Sequence, residues 1–208
     1  MAEGDLPGGL RESRPANGFD HIYRTRQAPW DLGRPQTAFR ELANGGRLVG
    51  RVLDVGCGTG EHALMASALG LDATGVDSAP TAIAMAAHKA SERGLPARFL
   101  IWDALRLPDL GESFDTVLDC GLFHVFDDPH QEELAGALRA SMPPGSRYFM
   151  LCFSDLEPEG WGPRRISQEQ IRASFGDGWQ VEGIAPTRLE ITIEPGSVHA
   201  WLASILRT

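Results

Sequence analysis

The chain has few cysteines and no long apolar run. Its 208 residues include only three cysteines, Cys57, Cys120 and Cys152, an odd number without the C-x-x-C spacing of many metal sites. This composition predicts reduced thiols in a cytoplasmic protein and argues against a disulfide framework. No apolar stretch approaches the ~20 residues of a membrane-spanning helix, and the first residues lack the apolar core of a secretory signal. We therefore expect a cytoplasmic protein with no membrane partner.

Basic residues are also scarce, since 19 lysines and arginines stand against 28 acidic residues and the formal net charge is −9. Proteins that bind nucleic acid usually present a basic surface to its phosphates. The composition therefore argues against a nucleic-acid partner and favours a small-molecule ligand. Histidines are scattered without the spacing of a metal site, and we predict no metal. The length and the lack of an internal repeat predict one domain around a single core.

From residue 51 onward, strands and helices alternate regularly. Apolar segments predict parallel strands at 51–55, 71–77, 97–103, 114–120 and 147–153, with helices between them at 61–69, 80–93 and 128–142. Three further strand-like stretches, 179–186, 188–193 and 197–206, have the short spacings of antiparallel strands. Together these patterns predict an α/β fold: a doubly wound, mostly parallel seven-stranded sheet with helices on both faces and an antiparallel edge.

The first 46 residues have a different character. Residues 1–18 are rich in glycine, proline and charge without an apolar period, which predicts a flexible arm. Residues 19–24 and 36–43 have the apolar spacing of short helices, and a loop with two prolines and Trp30 lies between them. We interpret residues 19–46 as a helical lid over the functional site of a single domain that spans residues 19–208.

Three alternating glycines, Gly56, Gly58 and Gly60, connect the first strand to a helix. Glycine permits positive φ and close approach of a ligand to the backbone, and a helix start offers free N–H groups to a carboxylate or another anion. A dinucleotide-binding loop reads G-x-G-x-x-G, but here Glu61 stands where the third glycine belongs. Asp54 would repel a pyrophosphate and attract an ammonium or sulfonium group. The pattern therefore favours a cationic cofactor over a nicotinamide dinucleotide, and a merely structural tight turn is the alternative.

Four acids, Asp54, Asp77, Asp103 and Asp119, stand at or near the ends of successive predicted strands. Ligands of open α/β sheets bind beyond the carboxyl ends of the strands, so we expect these acids along one functional edge. Asp77 stands where a carboxylate binds ribose hydroxyls in nucleoside-binding units. Each acid alone has an alternative role, because acids often cap the helix that follows.

The stretch Val52-Leu53-Asp54-Val55-Gly56-Cys57-Gly58-Thr59-Gly60 resembles the signature of class I S-adenosylmethionine-dependent methyltransferases, and the resemblance covers residues 50–153. It implies a Rossmann-like methyltransferase fold, S-adenosyl-L-methionine as cofactor and S-adenosyl-L-homocysteine as product. By this resemblance the glycine loop and Asp54 hold the methionyl part, Asp77 the ribose hydroxyls and Asp103 the adenine. The residues expected to contact the cofactor are Trp30, Asp54, Gly56, Cys57, Gly58, Thr59, Gly60, Asp77, Ser78, Asp103, Ala104, Asp119, Cys120 and Gly121.

A second, shorter resemblance concerns the methyl acceptor. Pro29-Trp30-Asp31-Leu32-Gly33-Arg34 resembles a segment of plant halide/thiol methyltransferases, which belong to the thiopurine methyltransferase-like branch. The stretch 118–125 is compatible with the same branch, in which related bacterial enzymes methylate heteroaromatic hydroxyl or thiol compounds. The resemblance implies a small-molecule acceptor, namely a thiol, a halide or a heteroaromatic hydroxyl. A non-catalytic cofactor-binding protein or sensor is the alternative function.

Methyl transfer from a sulfonium mainly requires alignment and exclusion of water, because the leaving group is already activated. A hydroxyl acceptor also gains from a general base, which typically contributes ~10²–10⁴-fold. His124 is the candidate catalytic base, because it follows the segment expected beside the methyl group, and Asp119 is the candidate residue that orients it. Packing is the alternative role of His124. Trp30 is expected to close over the cofactor or an aromatic acceptor, or else to anchor the N-terminal helices, and residues 155–166 to form a lid or wall.

Overall fold

The computed structural model describes residues 16–25 and 28–208. Its strands are β1 (Arg51–Val55), β2 (Asp72–Asp77), β3 (Arg98–Ile101), β4 (Thr116–Cys120), β5 (Arg147–Phe153), β6 (Trp179–Glu190) and β7 (Ser197–Arg207). Its α-helices are α1 (Ala16–Arg24), α2 (Thr37–Asn44), α3 (Glu61–Ala68), α4 (Pro80–Arg93), α5 (Asp128–Ser141) and α6 (Gln168–Ser174). The strands form one seven-stranded sheet in the order β3-β2-β1-β4-β5-β7-β6. Strands β1 to β5 are parallel and β7 is antiparallel to both its neighbours, which confirms the predicted fold.

The parallel strands are buried because helices cover both faces of the sheet. In β1, Leu53 and Val55 pack in one core cluster, whereas Val52 packs in the other. All three side chains are fully buried. Alternate residues of a strand point to opposite faces, so a continuous apolar run supplies both cores at once. Burial of each such side chain stabilises the fold by about 1.5–3 kcal/mol.

The antiparallel edge differs from the prediction in one respect. The stretches 179–186 and 188–193 were expected as separate strands, but β6 continues through Pro186 and Thr187 and ends at Glu190. Pro186 lies opposite Trp201 of β7, and β6 is the last strand of the sheet. A proline removes one N–H donor, which an edge strand tolerates because one side of it needs no partner.

The N-terminal residues also differ from the prediction. The expected arm over residues 1–18 lies outside the described residues except for its last three positions, which belong to α1. This helix packs against α4, where Tyr23 contacts Ala79 and Ala82 in a small apolar cluster. The Thr81 amide also donates a 2.8 Å hydrogen bond to the Asp20 carboxylate. In the described part of the chain, every helix is too short or too polar to cross a membrane.

The order of the strands determines where a ligand site opens at the edge of the sheet. After β1 the chain runs to β2 and then β3 on one side, and β4 returns to the other side of β1. The loops that leave β1 and β4 therefore diverge at their carboxyl ends and open a crevice between them.

Candidate active site

A cavity of about 950 Å³ lies at this crevice. Its walls come from the loops after the first four strands, from α1 (Phe19, Ile22 and Tyr23), from the segment 28–36, from residues 161–163 and from residues 189–193. Sites for cofactors and drug-sized ligands typically occupy about 300–1,000 Å³. The cavity is therefore large enough for a nucleoside cofactor and a small second ligand.

The glycine loop after β1 presents its backbone to this cavity. Gly60 precedes α3 with φ +84°, and a Cβ at this position would lie 2.6 Å from the Phe99 ring, so the turn requires glycine. The Cys57 amide donates to the Val76 carbonyl at 2.9 Å, which holds the loop against β2. Gly58 packs so closely under α1 that a Cβ there would lie 2.6 Å from the Tyr23 hydroxyl.

Asp77, at the end of β2, lines the cavity beside this loop. Its carboxylate accepts hydrogen bonds of 2.8 Å from the amides of Gly58 and Ala79. Burial raises the pKa of Asp77, while these backbone donors oppose the rise. Each carboxylate oxygen has a second lone pair, so the group is able to accept hydroxyl donors from a ligand as well.

Asp54 does not lie at the cavity mouth, which corrects the expectation from the sequence. Its side chain is fully buried beneath the glycine loop, where one oxygen accepts a 3.1 Å hydrogen bond from the Ala63 amide of α3. The other oxygen has no hydrogen-bond partner among the described residues. Burial, together with the nearby charges of Asp77 and Asp119, raises the pKa of Asp54 to about 7. A cationic group bound above the loop would compensate this buried acid.

Asp103 lies two residues after the end of β3 and directly before a 3-10 helix. Its side chain accepts a 3.0 Å hydrogen bond from the Leu105 amide and so caps a 3-10 turn. Asp103, Ala104, Trp102 and the Ser78 loop after β2 line the same side of the cavity. The acid thus caps a turn and also faces the cavity, and its expected contact with the adenine stays a prediction.

Asp119 is fully buried behind the cavity wall and is not among the residues that line it. Its carboxylate accepts hydrogen bonds from the amides of Leu122 (2.8 Å) and Phe123 (3.1 Å) and from the Tyr148 hydroxyl (2.6 Å). Burial raises the pKa of Asp119 to about 6. These partners occupy both oxygens, and the expected contact with His124 is not formed. Asp119 instead fixes the 3-10 turn that carries His124.

His124 lines the cavity, and the residue is 6% exposed. Its Nδ1 accepts a 3.0 Å hydrogen bond from the Phe153 amide, and the ring packs edge-on against the Phe153 ring at 5.1 Å. Burial, and secondarily the positive charge of Arg165, lowers the pKa of His124 to about 3. The imidazole is therefore neutral throughout the physiological pH range.

The segment 28–36 forms a fixed wall over the cavity. The Trp30 indole N–H donates a 2.8 Å hydrogen bond to the Tyr23 hydroxyl, and Thr59 of the glycine loop donates one of 2.8 Å to Asp31. Arg34 makes a bidentate pair with Glu190 of β6, with N–O distances of 2.7 and 3.3 Å. The hydrogen bonds from this guanidinium lower the pKa of Glu190 to about 2. Hydrogen bonds thus hold the segment both to the glycine loop and to the antiparallel edge of the sheet.

Twelve of the predicted site residues line the cavity, and the structure separates three from it. Those that line it are Trp30, Gly56, Cys57, Gly58, Thr59, Asp77, Ser78, Asp103, Ala104, Cys120, Gly121 and His124. Asp54, Gly60 and Asp119 lie behind the wall and support it. Helix α2 contributes no lining residue, and the lid interpretation of residues 19–46 stays a prediction.

A set of apolar side chains lines the cavity, and we call it the acceptor wall. It consists of Leu32, Leu122, Val125, Phe126, Phe153, Trp161, Leu189, Ile191 and Ile193. The sequence placed only Trp161 of this set in a lid or wall, and it missed the others. The strict alternation of Leu189, Ile191 and Ile193 was an available signal, because alternate residues in extended chain share one face.

The sequence also gave no indication that His62 contacts the segment 28–36. Its Nε2 accepts a 3.2 Å hydrogen bond from the Gln36 amide, and Nδ1 lies 3.9 Å from the unpaired oxygen of Asp54. Burial lowers the pKa of His62 to about 4. A neutral histidine thus connects the wall over the cavity to the acid beneath the glycine loop.

The cavity is acidic overall, which fits a cationic cofactor. Asp31, Glu61, Asp77 and Asp103 line it, and Glu61 is paired with Lys89 and Arg93. Arg34, the one arginine among the described lining residues, is paired with Glu190. Together with the unpaired buried oxygen of Asp54, this arrangement favours a ligand that carries ammonium and sulfonium groups. Across residues 16–25 and 28–208, no three His, Cys, Asp or Glu side chains are grouped so as to hold a metal ion.

Comparison with known proteins agrees with this chemistry. Residues 52–145 match a family described as a methyltransferase domain. The chain is 34% identical to 2-heptyl-1-hydroxyquinolin-4(1H)-one methyltransferase from Mycobacteroides abscessus over 164 residues, which are 77% of this chain and 72% of that protein.

Two solved structures have the same fold as this chain. One, from work on the conversion of a disulfide bond into a thioacetal group during echinomycin biosynthesis, has a TM-score of 0.84 and 36% identity, and the match covers 93% of each chain. Magnesium protoporphyrin IX methyltransferase (ChlM) from Synechocystis PCC 6803 with bound SAM has the same fold, with a TM-score of 0.64 and 19% identity over 100% of this chain and 87% of that one.

The predicted family, enzyme class and cofactor are confirmed by these relatives. The cofactor is S-adenosylmethionine, and the acceptor is a small molecule. The chain belongs to the class I S-adenosylmethionine-dependent methyltransferases.

Proposed function

We propose that this methyltransferase acts on the hydroxyl group of a flat, apolar heteroaromatic molecule. The acceptor wall carries the proposal, because it brings nine aliphatic and aromatic side chains to one cavity. Such a surface buries an apolar ring system or alkyl chain, at about 25 cal/mol per Å² of apolar area. The Mycobacteroides abscessus relative, named for a heptyl-substituted hydroxyquinolone, supports this acceptor class.

The methyl donor is placed on the opposite side of the cavity. We assign the ribose hydroxyls to Asp77, the methionyl part to the loop from Gly56 to Thr59, and the adenine to the side formed by Trp102 and Asp103. Cys120 and Gly121, at the end of β4, line the cavity between this side and the acceptor wall. When bound, S-adenosylmethionine supplies a methyl group that is already activated for displacement.

The residues of this chain contribute alignment and exclusion of water. The acceptor wall and the segment 28–36 enclose the reacting groups, and removal of water strengthens the nucleophile and prevents side reactions. Orientation of two bound reactants is itself a large contribution, worth up to about 7–11 kcal/mol in well-aligned systems. The proposal therefore needs no metal and no covalent intermediate with the enzyme.

A thiol acceptor is the second candidate, and two observations favour it. The solved neighbour at 36% identity comes from work on sulfur chemistry, in which a disulfide becomes a thioacetal. The segment from Pro29 to Arg34 resembles halide/thiol methyltransferases, and a halide is the smaller acceptor of that branch. A soft anionic nucleophile would use the same alignment without any base.

A panel of acceptors with labelled cofactor tests the proposal. We expect transfer to alkyl-hydroxyquinolones and related aromatic hydroxyls to exceed transfer to matched thiols and to iodide. The reverse order would replace the hydroxyl proposal with the thiol one. Tight binding of the cofactor without transfer to any acceptor would favour a sensor, and calorimetry on the same samples measures that binding.

A further inference from the structure

We propose that His124 positions the acceptor by donating a hydrogen bond from its Nε2–H to the ionised acceptor oxygen, and that it does not take up the acceptor's proton. This inference rests on the proposed function, because it concerns the same hydroxyl acceptor. It replaces the general-base role that the sequence predicts for His124.

The hydrogen bond at Nδ1 determines where the imidazole proton lies. The Phe153 amide is 3.0 Å from Nδ1, and a backbone amide is only ever a donor. Nδ1 must therefore be the acceptor, and the proton of the neutral ring must be on Nε2. A general base needs a free lone pair directed at the acceptor. In this ring Nδ1 carries the only lone pair that is able to accept a proton, and that lone pair already accepts the hydrogen bond from the Phe153 amide.

The Nε2 atom is located where the reacting atoms are expected. Gly121 follows β4 with φ +80°, and a Cβ added to it would lie 3.2 Å from Nε2. Gly121 and His124 both line the cavity, next to Leu122 of the acceptor wall. The one hydrogen bond of this ring to the described residues is made by Nδ1, and Nε2 has no protein partner among them. A donor without a partner thus stands at the junction of the cofactor side and the acceptor wall.

The surroundings of the ring keep it neutral. From the segment 155–166, Arg165 repels a positive charge on His124 while its guanidinium stacks on the Phe153 ring at 5.2 Å. From β4 and β5, the Asp119 carboxylate is occupied by Tyr148 and by two amides of the turn, so it does not support a charged ring. The thiols of Cys120 and Cys152 have pKa values raised well above the ordinary range by burial and remain uncharged.

A fixed neutral donor selects acceptors that are already anions. The acceptor oxygen loses its proton to solvent before the reaction. Its lone pair then forms the C–O bond as the C–S bond breaks, and the electron pair of that bond goes to the sulfur. His124 gains and loses no proton in this step. Acidic hydroxyls, such as N-hydroxy heteroaromatics and acidic phenols, are therefore favoured over alcohols.

The tautomer is measurable in the free enzyme, independently of any acceptor. Nitrogen NMR of the labelled histidine rings, assigned with His124→Gln, should show His124 protonated on Nε2 and unchanged between about pH 5 and 9. A ring protonated on Nδ1, or one that titrates in this range, would overturn the inference and leave the proposed function intact.

The pH profile of the unsubstituted enzyme gives a second test. We expect the midpoint of log kcat/KM to follow the pKa of each acceptor across a series of substituted hydroxyquinolones. One midpoint common to all acceptors would show that an enzyme group accepts the proton and would contradict the inference. Failure of every hydroxyl acceptor would overturn the proposed function and this role of His124 together.

Two substitutions complete the test. His124→Phe removes the donor and should lower kcat/KM by about 10–100-fold, mostly through KM, which is the range for a hydrogen bond to a charged group. His124→Gln keeps an N–H donor at a similar position and should retain more activity than His124→Phe. Equal losses in both, with unchanged affinity for S-adenosylhomocysteine, would contradict the donor role.

Discussion

At the scale of single residues, the Asp77 carboxylate has two backbone donors and still faces the cavity. Its hydrogen bonds to the amides of Gly58 and Ala79 fix its orientation before any ligand binds. Preorganisation of this kind lets a ligand form charge-assisted hydrogen bonds without first ordering the side chain. The contribution of Asp77 to cofactor affinity should therefore be large for one residue.

We expect Asp77→Asn to weaken binding of S-adenosylhomocysteine by about 10–100-fold, because two charge-assisted hydrogen bonds become neutral ones. Isothermal titration calorimetry measures the dissociation constant directly. Asp72→Asn is the matched control, since Asp72 begins the same strand and its side chain is 68% exposed. Equal affinities for the Asp77 variant and the control would refute the assignment of the ribose hydroxyls to Asp77.

The buried carboxyl group of Asp54 should make the stability of the fold depend on pH. Its pKa is raised to about 7 in the folded protein by burial, against an unfolded value near 3.8. The folded state therefore binds more protons between these values, and the contribution of Asp54 to stability falls as pH rises from about 4 to 7. The difference of about three pKa units corresponds to roughly 4 kcal/mol at 1.36 kcal/mol per unit.

We expect Asp54→Asn to be more stable than the parent protein at pH 8 and to lose this advantage towards pH 4. The amide keeps an acceptor for Ala63 but carries no charge. Denaturant unfolding of the cofactor-free proteins at several pH values measures the difference. His124 is present in both proteins and is not in contact with Asp54, so the comparison cancels the effect of its titration. A difference in stability that does not vary with pH would mean that Asp54 is ionised in the folded state throughout.

At the scale of elements, the segment 28–36 is held at both ends of the cavity. The Arg34–Glu190 pair and the hydrogen bond from the Thr37 amide to Glu190 attach the segment and α2 to the end of β6. Further along, the Thr192 amide donates to the Pro29 carbonyl at 2.7 Å. The wall over the cofactor loop thus depends on the antiparallel edge, which lies far away in sequence.

We expect Glu190→Gln to increase hydrogen exchange at the amides of Thr37 and Thr192 by about tenfold and to raise the KM for the acceptor. The neutral amide forms a weaker contact with Arg34 and the Thr37 amide, a loss of about 1–2 kcal/mol. Glu182→Gln is the matched control, because Glu182 makes a similar bidentate pair with Arg147 at the other end of β6. The same exchange rates in both variants would show that the wall is held by other contacts.

The two halves of the site differ in how far sequence alone predicts them. The apolar strands, the glycine loop and Asp77 follow from local pattern, because periodicity and glycine geometry act over a few residues. The placement of Asp54 beneath the loop depends on which face of β1 its side chain occupies and on the Ala63 amide of α3. Local pattern does not determine either. The continuity of β6 through Pro186 likewise depends on its position as an edge strand.

The sequence offers the alternation of Leu189, Ile191 and Ile193 as a local signal, but it does not show which other segments join them in the acceptor wall. Leu32, Phe153 and Ile191 line one cavity because hydrogen bonds hold the segment 28–36 against the end of β6 and the residues that follow it. Contacts between such distant positions follow from topology rather than from any pattern in one stretch. His124 shows the same limit, since its tautomer depends on the Phe153 amide of a strand that follows much later in the chain.

At the scale of the whole molecule, cofactor binding should stabilise the fold. The cofactor contacts loops after three strands and the segment 28–36 in our assignment, so it binds the folded state only. At a concentration about 100 times its dissociation constant, a ligand adds roughly 2.7 kcal/mol, which raises Tm by roughly 5–10 °C for a chain of this size. Thermal melts with S-adenosylhomocysteine measure the shift, and NADH should give none. A comparable shift with NADH would revive a dinucleotide site.

The acceptor wall has a consequence for relatives of this protein. The family match spans residues 52–145, and the glycine loop, Asp77, Asp103 and Gly121 lie within it. Six of the nine wall residues lie outside that span: Leu32, Phe153, Trp161, Leu189, Ile191 and Ile193. In our proposal, the methyl donor and the methyl acceptor are thus recognised by largely separate parts of one chain. The donor-binding part is able to stay the same in evolution while the acceptor wall diverges. Similarity within residues 52–145 therefore identifies the methyl donor that two relatives share, and it says little about which molecule each of them methylates.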